Sequence, residues 1–203
     1  MNVLPRSFRK TLRYAETYSL TTGAAGLIGT VQTLFLNSVY DPNYTGTGHQ
    51  PYGFDQLAAF FQQYLVHGVR FQIITTTIGG TPEVCVAYQL FPTAGGVSIA
   101  GISTDAATEK STVSTFVSGS SGNVRSRSVG GEAKMYQIFG LTPAQYAAQA
   151  DVYGAAVTTN PSLGAYLEVG IGSYNGTAGE SLSVQVILDM DVEFWQPKTL
   201  PQS

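Results

Sequence analysis

The stretch Ser181–Trp195 has the sequence SLSVQVILDMDVEFW. Every even-numbered position in it is apolar, and the odd-numbered positions include Asp189, Asp191 and Glu193. Because successive side chains of a strand point to opposite faces, this period of two predicts one long β-strand. A helix would distribute the three carboxylates around its axis. We therefore expect a central strand of an antiparallel sheet, with one face on the core and the other facing water or a neighbouring subunit.

Further segments either alternate in the same way or are rich in β-branched and aromatic residues, as strands are. Glu16 is the one exception on the apolar side of the first segment. The other predicted strands are Thr11–Leu20, Leu27–Asn37, Gly68–Thr77, Val84–Phe91, Arg125–Phe139 and Ala165–Tyr174. The count of about eight strands, several joined by long connections instead of tight hairpins, predicts an all-β fold: a single eight-stranded antiparallel jelly-roll sandwich.

The segment Gly53–Val66 has helical spacing instead, with an apolar stripe at i, i+3, i+4, i+7 and i+8. That stripe consists of Leu57, Phe60, Phe61, Tyr64 and Leu65. Shorter helices are predicted at Ser103–Lys110 and from Thr142-Pro143 to about Ala150, where a capping hydroxyl precedes a proline. Residues 92–123 otherwise form a long Gly/Ser/Thr-rich connection. We therefore expect helices only in the loops that connect the strands.

The chain of 203 residues is 43% apolar, but only 11% of its residues are charged, against a typical value of about 25%. Charge depletion is a property of interface cores, so the composition favours a subunit that covers much of its surface with copies of itself. A neutral, soluble β-domain is the other interpretation. Cys85 is the single cysteine, which excludes an intrachain disulfide and a cysteine metal site. No apolar run approaches the roughly 20 residues that a membrane helix needs.

Residues 1–13 contain four basic residues and no acid: Arg6, Arg9, Lys10 and Arg13. The remainder has 6 basic and 13 acidic residues, a net charge of −7. We therefore divide the chain into a short basic N-terminal arm, 1–13, and a shell domain, 14–203. Such an arm suits electrostatic contact with a polyanion, although a terminus that is basic by chance is an alternative.

Motifs for catalysis are absent from the sequence. The two histidines, His49 and His67, lie on either side of the predicted helix, with no nucleophile or phosphate-binding motif beside them. Asp189, Asp191 and Glu193 share one face of the last strand and could bind a hard cation if a neighbour supplied oxygens, but a solvated or interface-rim face is the favoured interpretation. We therefore expect no enzyme activity, no cofactor and no metal.

The segment from Gly48 to Gly68, GHQPYGFDQ followed by FFQQYLVHG, resembles the capsid proteins of small circular Rep-encoding single-stranded DNA viruses. That family has a turn of the form HQP-x-G-x-D, an aromatic-rich helix and then Y-x-V-x-G leading into a strand. Single jelly-roll coat proteins of small RNA viruses are similar here. The matching residues are His49, Gln50, Pro51, Gly53, Asp55, Phe60, Phe61 and Tyr64. Read from their chemistry, they fix a turn and anchor the helix on the sandwich.

The resemblance implies a virion component that self-assembles into an icosahedral shell, most simply a T=1 particle of about 60 subunits. It implies an enclosed single-stranded DNA genome, with RNA as the alternative, and assembly in the nucleus or cytoplasm of a host cell. Host, receptor and triangulation number do not follow from the sequence. Family members carry a longer basic arm facing the genome, and here only the four basic residues of 1–13 match that role.

Two other hypotheses belong to different classes. A β-sandwich module that binds carbohydrate or another ligand would need an exposed aromatic platform, for which Tyr40, Tyr44 and Tyr52 are the candidates. A cupin-like metalloenzyme would need several histidine ligands, and the chain has two. Oligomeric state and bound metal distinguish these from the shell protein.

Overall fold

A computed structural model describes residues 4–78, 84–92, 98–109, 113–117 and 124–199. The strands are β1 (Ser7–Thr21), β2 (Val31–Phe35), β3 (Phe61–Ile78), β4 (Val84–Pro92), β5 (Val113–Val117), β6 (Val124–Lys134), the two-residue β7 (Ala155–Ala156), β8 (Ala165–Ser173) and β9 (Ser181–Pro197). The helices are α1 (Phe54–Ala58), α2 (Thr104–Glu109), α3 (Met135–Ile138), α4 (Pro143–Ala148) and α5 (Ala150–Tyr153), with a 3-10 turn at Ala24–Gly26. None of these helices is long and apolar enough to cross a membrane.

The eight longer strands form two four-stranded layers. The first sheet has the order β1-β9-β3-β6, with β7 added beside β3, and the second has the order β2-β8-β4-β5. Every strand pair is antiparallel. Successive strands mostly alternate between the two sheets, so the chain winds around the sandwich as a jelly roll. The predicted fold class is confirmed.

The last strand has the central position that its alternation predicts. Its register pairs it along one edge with β1 and along the other with β3. All seven even-numbered apolar side chains from Leu182 to Phe194 are at most 2% exposed. They meet the inward side chains of the second sheet, such as Leu167 and Val169, in one continuous core. The strand therefore holds the two layers together.

The predicted helix Gly53–Val66 is wrong beyond its first turn. Helix α1 ends at Ala58, and β3 already begins at Phe61. The register of β3 against β9 shifts between Val66 and Gly68, so His67 is an extra residue, a β-bulge. Before the bulge Tyr64 and Val66 pair with the inward Phe194 and Val192 of β9, and after it Val69 pairs with the inward Met190. The predicted stripe lies before this bulge. Phe61, Tyr64 and Leu65 are all buried although they belong to a strand, and their spacing of i, i+3 and i+4 imitates a helix.

The predicted strand within Arg125–Phe139 is wrong in the part where the pattern is clearest, 135–139, because β6 ends at Lys134 and Met135 begins α3. The ladder explains this boundary. Gly68 of β3 pairs with Lys134, the last residue of β6, whereas Tyr64, nearer the start of β3, pairs with β7. Strand β6 therefore has no backbone partner to continue with. The Thr142-Pro143 helix start is confirmed, with a capping box between Thr142 and Gln145.

The remaining boundaries differ in smaller ways. Strand β1 begins at Ser7 instead of Thr11, and β2 is the shorter segment Val31–Phe35. Strand β5 lies inside the predicted connection 92–123, where α2 confirms the predicted short helix. The Gly/Ser stretch 118–122 lies outside the residues that the structure describes. Cys85 is buried, as expected for a small apolar residue.

The outer face of the second sheet is covered by its own connections. Ile28, Ile99 and Ala107 form a second apolar cluster on Ala87 of β4. The buried carboxylate of Glu168 fixes this cover, because it accepts hydrogen bonds from the Ile99 backbone N–H at 2.8 Å and from the Ser98 hydroxyl at 2.6 Å. The outer face of the first sheet, in contrast, carries rows of charged side chains.

Candidate functional site

Two arginines of β1 are bound by carboxylates of β9 on the outer face of the first sheet. Arg13 lies directly opposite Asp189 and donates to it from Nε at 2.6 Å and from Nη2 at 2.9 Å. Arg9 likewise donates two hydrogen bonds to the carboxylate of Asp191, and its Nε lies 2.8 Å from Oδ1. Such paired hydrogen bonds fix the plane of the guanidinium as well as its position. The two arginines are therefore parts of the sheet surface.

The charged rows continue onto the next two strands. His67, the bulged residue of β3, lies with Nε2 2.9 Å from Oε2 of Glu193. Arg70 of β3 is opposite Asp189 on one side and opposite Glu132 of β6 on the other. Across the four strands the signs alternate in the order Arg13, Asp189, Arg70 and Glu132. Opposite charges on facing positions favour this strand register.

The three carboxylates of β9 are held in their ionised form. The hydrogen bond from Arg13 holds the pKa of Asp189 below its ordinary value, and Arg9 does the same for the pKa of Asp191, in each case against the effect of burial. Burial alone would raise the pKa of Glu193, but hydrogen bonds from His67 and Ser7 outweigh it, so that pKa is also lowered.

Because each carboxylate already accepts a hydrogen bond from Arg13, Arg9 or His67, the cation-site interpretation of Asp189, Asp191 and Glu193 loses its oxygen ligands. Across the described part of the chain, no group of three His, Cys, Asp or Glu side chains is placed to hold a metal ion. The two histidines have different surroundings: His67 belongs to the charged face, and His49 stacks on a core tyrosine.

The boundary between arm and shell differs from the prediction, which placed it after residue 13. Arg9, Lys10 and Arg13 lie within β1, which pairs with β9 from Ser7 onward. The reason is the length of β9, which extends to Pro197, so that its backbone pairs with residues 7–10 of β1. Arg6, just before the strand, and Lys10 are both exposed.

The charges are divided unequally between the first sheet and the rest of the described chain. The first sheet, with Arg6, has eight basic and five acidic residues, a net charge of +3. The remaining described residues have one basic and seven acidic residues, a net charge of −6. The basic set is Arg6, Arg9, Lys10, Arg13, Arg70, Arg125, Arg127 and Lys134. The excess of basic residues therefore lies on the first sheet and Arg6, which favours the approach of a polyanion to that part of the molecule.

The segment around His49 closes one end of the sandwich. The His49 ring stacks on the buried Tyr14 ring with centroids 4.7 Å apart. Tyr14 and Tyr18 both donate hydroxyl hydrogen bonds to the carboxylate of Glu16, the latter at 2.6 Å, and the side-chain amide of Asn43 adds a third at 3.2 Å. This explains why an acid interrupts the apolar side of β1.

The hydrogen bonds to Glu16 also set its ionisation. Burial alone would raise the pKa of this carboxyl, but the donors Tyr14, Tyr18 and Asn43 outweigh burial, so its pKa is lowered. Gly48 allows the close approach, since a Cβ there would lie 2.6 Å from the Cβ of Asn43. The sequence signal for this cluster is only the unexpected Glu16, and its partner Asn43 cannot be identified from spacing.

The other motif residues have structural positions. Gly53 begins α1 with a φ of 88°, a conformation that suits glycine. Asp55 lies in the first turn of α1 without capping it, and Gln50 is half-buried beside the buried Pro51. Phe61 and Tyr64 belong to β3 instead of a helix, and both are buried, whereas Phe60 is 42% exposed. The motif residues therefore lie in a loop, a short helix and a strand, and Phe61 and Tyr64 anchor β3 instead of the predicted helix.

The proposed aromatic platform of Tyr40, Tyr44 and Tyr52 does not form as one surface. Tyr40 is half-buried against the core, and Tyr44 packs on Phe35 and Tyr166 of the second sheet. Tyr52 is 96% exposed at the loop tip. The geometry gives no support to the carbohydrate-binding alternative.

Comparisons with known proteins define the fold further. No protein-family model matches the chain, and no curated protein matches it in sequence. Among solved structures it is similar to the virus-like particle of the Macrobrachium rosenbergii nodavirus of the giant freshwater prawn, with a TM-score of 0.51, 10% identity and 97% of both chains covered. It is similar to Triatoma virus with a TM-score of 0.51 and 13% identity, over 92% of this chain and 67% of that one.

The capsid protein of BFDV in its decameric form is also similar, with a TM-score of 0.47 and 10% identity over 94% of this chain and 100% of that one. The two likenesses above 0.5 cover nearly the whole described sandwich. The chain therefore has the jelly-roll fold found in viral particles, and the resemblance drawn from the segment 48–68 is confirmed at the level of the fold.

Proposed function

We propose that this protein is a viral capsid protein, which self-assembles into an icosahedral shell around a single-stranded nucleic-acid genome. The observation that carries the proposal is the two-layered sandwich β1-β9-β3-β6 over β2-β8-β4-β5, whose likeness to a subunit of a nodavirus particle extends along 97% of the chain. The proposed role is structural, because the protein binds identical subunits and together they form the shell.

The surface composition supports self-assembly. Only 11% of the residues are charged, and part of that charge is paired within the first sheet. Large apolar side chains such as Tyr52, Tyr174 and Phe60 are more than 40% exposed. A surface with little free charge and exposed aromatic rings is poorly suited to a monomer and well suited to contact with identical copies.

The genome contact is assigned to the basic N-terminal segment of the first sheet, because that sheet together with Arg6 has a net charge of +3. Within this segment Arg6 and Lys10 are exposed and make no ion pair in the described chain, whereas Asp191 and Asp189 bind Arg9 and Arg13. The sequence resemblance favours single-stranded DNA as cargo and a T=1 shell. Assembly takes place inside the host cell, and the shell becomes part of the virion.

Electron microscopy of the purified full chain tests the proposal. Uniform closed particles are expected at near-neutral pH and moderate salt. A persistent monomer across a series of salt concentrations and pH values would refute it. Nuclease-protected nucleic acid extracted from the particles, digested separately with DNase and RNase, identifies the cargo. Variants that shorten the N-terminus should stop at residue 6, because β1 begins at Ser7.

A further inference from the structure

The alternation of β1 divides the basic N-terminal segment into two groups. Arg9 and Arg13 point to the outer face of the first sheet, where Asp191 and Asp189 bind them. Phe8 and Lys10 point to the other face, opposite Phe194 and Val192 of β9. Lys10 is exposed, and no ion pair forms between it and any acid of the described chain. The segment's free charge is therefore on the side of Phe8.

Phe8 is an exposed aromatic ring at the most basic point of the chain. It is 39% exposed, and one of its faces stacks on the buried Phe61 with centroids 6.5 Å apart and an interplanar angle of 14°. Phe61 holds the ring in place, so little ordering is needed before something stacks on it. Lys10 follows two residues later on the same face, about 6.6–6.8 Å along the strand, and the exposed Arg6 precedes it.

We propose that Phe8, Arg6 and Lys10 form a binding site for single-stranded nucleic acid, in which a base stacks on Phe8 while Arg6 and Lys10 contact phosphates. Arg9 and Arg13 have a structural role in the same strand. Aromatic platforms beside cationic groups bind single strands without sequence preference. The inference rests on the proposed function and specifies where and how the genome is held.

The charges around Phe8 decide between the two occupants that an exposed ring could have. A second copy placed symmetrically on this patch would bring Arg6 and Lys10 close to their own equivalents, and like charges across an interface are costly. A polyanion is attracted by the same groups. The patch therefore fits nucleic acid better than another subunit.

Fluorescence anisotropy with labelled oligo-dT and an abasic oligonucleotide of equal length tests the site on the full-length chain. Phe8→Ala should weaken oligo-dT binding by about 5- to 150-fold and leave abasic binding unchanged, whereas Phe8→Trp should keep it. Lys10→Gln should weaken binding of both probes and reduce the log–log salt slope by about 0.7. The matched control is the double variant Arg9→Gln/Asp191→Asn. It removes both members of an ion pair and should leave the log–log salt slope unchanged.

Four results overturn the inference. In the first, Phe8→Ala binds oligo-dT as tightly as the wild type. In the second, the Arg9/Asp191 control loses as much salt slope as Lys10→Gln. In the third, Phe8→Ala lowers the particle yield while oligo-dT binding is unchanged, which assigns the patch to a second copy. The fourth concerns the folded Phe8→Trp variant, whose tryptophan fluorescence, corrected for Trp195, should be quenched by oligo-dT. Unquenched fluorescence at saturating oligo-dT overturns the inference. If every variant forms particles that bind nucleic acid normally, the inference fails and the proposed function stands. If the wild type forms no particles and binds no nucleic acid, the inference and the proposed function both fail.

Discussion

Arg13 of β1 and Asp189 of β9 lie directly opposite each other, 176 residues apart in the chain, and two hydrogen bonds join guanidinium and carboxylate. Together with Arg9 and Asp191, this pair joins the first strand to the last on the outer face of the first sheet. Arg9 and Arg13 thereby become part of the first sheet. Their charge is balanced within the sheet before any polyanion arrives.

These pairs predict a loss of stability in acid. Since Asp189 and Asp191 have pKa values lowered in the folded state, their contribution is present above the unfolded pKa of about 3.9 and is lost as pH falls through the lower folded values. Urea unfolding of dissociated subunits between pH 6 and pH 2 measures this. The double variant Asp189→Asn/Asp191→Asn should start less stable and lose less stability on acidification.

An exposed carboxylate outside the sheet provides the control for that experiment. Asp105 lies in the first turn of α2 and is exposed. Asp105→Asn should retain the acid sensitivity of the wild type. An equally steep decline in the Asp189/Asp191 double variant would mean that these pairs do not cause the pH dependence.

The carboxylate of Glu16 is predicted to hold the end of β1 against the segment 41–49. It accepts hydrogen bonds from Tyr14, Tyr18 and Asn43, so Glu16→Leu should leave these donors without their partner and cost about 1–3 kcal/mol of unfolding free energy. Tyr18→Phe removes one donor only and should cost less. Urea denaturation of both variants measures the order, and equal stability of Glu16→Leu and the wild type contradicts it.

Two neighbouring glycines of β6 make a matched test of strand packing. A Cβ at Gly130 would lie 2.3 Å from the backbone oxygen of Phe71, whereas one at Gly131 would lie 3.2 Å from the ring of the same residue. A ring can move slightly, but a backbone held in a ladder of hydrogen bonds cannot. Gly130→Ala should therefore cost about 1–3 kcal/mol more than Gly131→Ala in unfolding free energy. The reverse order in thermal or urea unfolding would contradict the register between β3 and β6.

The sequence predicts the parts of this fold whose pattern is local. The alternation of Ser181–Trp195 identifies β9, its inward face and its central position, and Thr142-Pro143 identifies the start of α4. The start of β3 defeats the same reasoning, because Phe61 and Leu65 are buried there as well as Tyr64, and a strand covered on both faces shows no alternation. Local periodicity therefore succeeds only where one face of a strand is buried more than the other.

The candidate site is less predictable, since it depends on contacts between distant segments. Arg9 and Arg13 are recognisable as basic, but their partners follow from the pairing of the first and last strands, which no spacing in the sequence encodes. The same holds for Glu16 and Asn43, which are 27 residues apart in the chain and joined by a hydrogen bond. Composition predicts a basic segment, and only the strand register separates its bound charges from its free ones.

The mass of the native particle tests the central claim most directly. Sixty copies of a 21.5 kDa chain give a protein mass of about 1.3 MDa, to which an enclosed genome would add. Sedimentation velocity or mass photometry of the purified protein should show one dominant closed species at or above that mass. A single species of 21.5 kDa at every salt concentration and pH would contradict the account of this protein as a shell subunit.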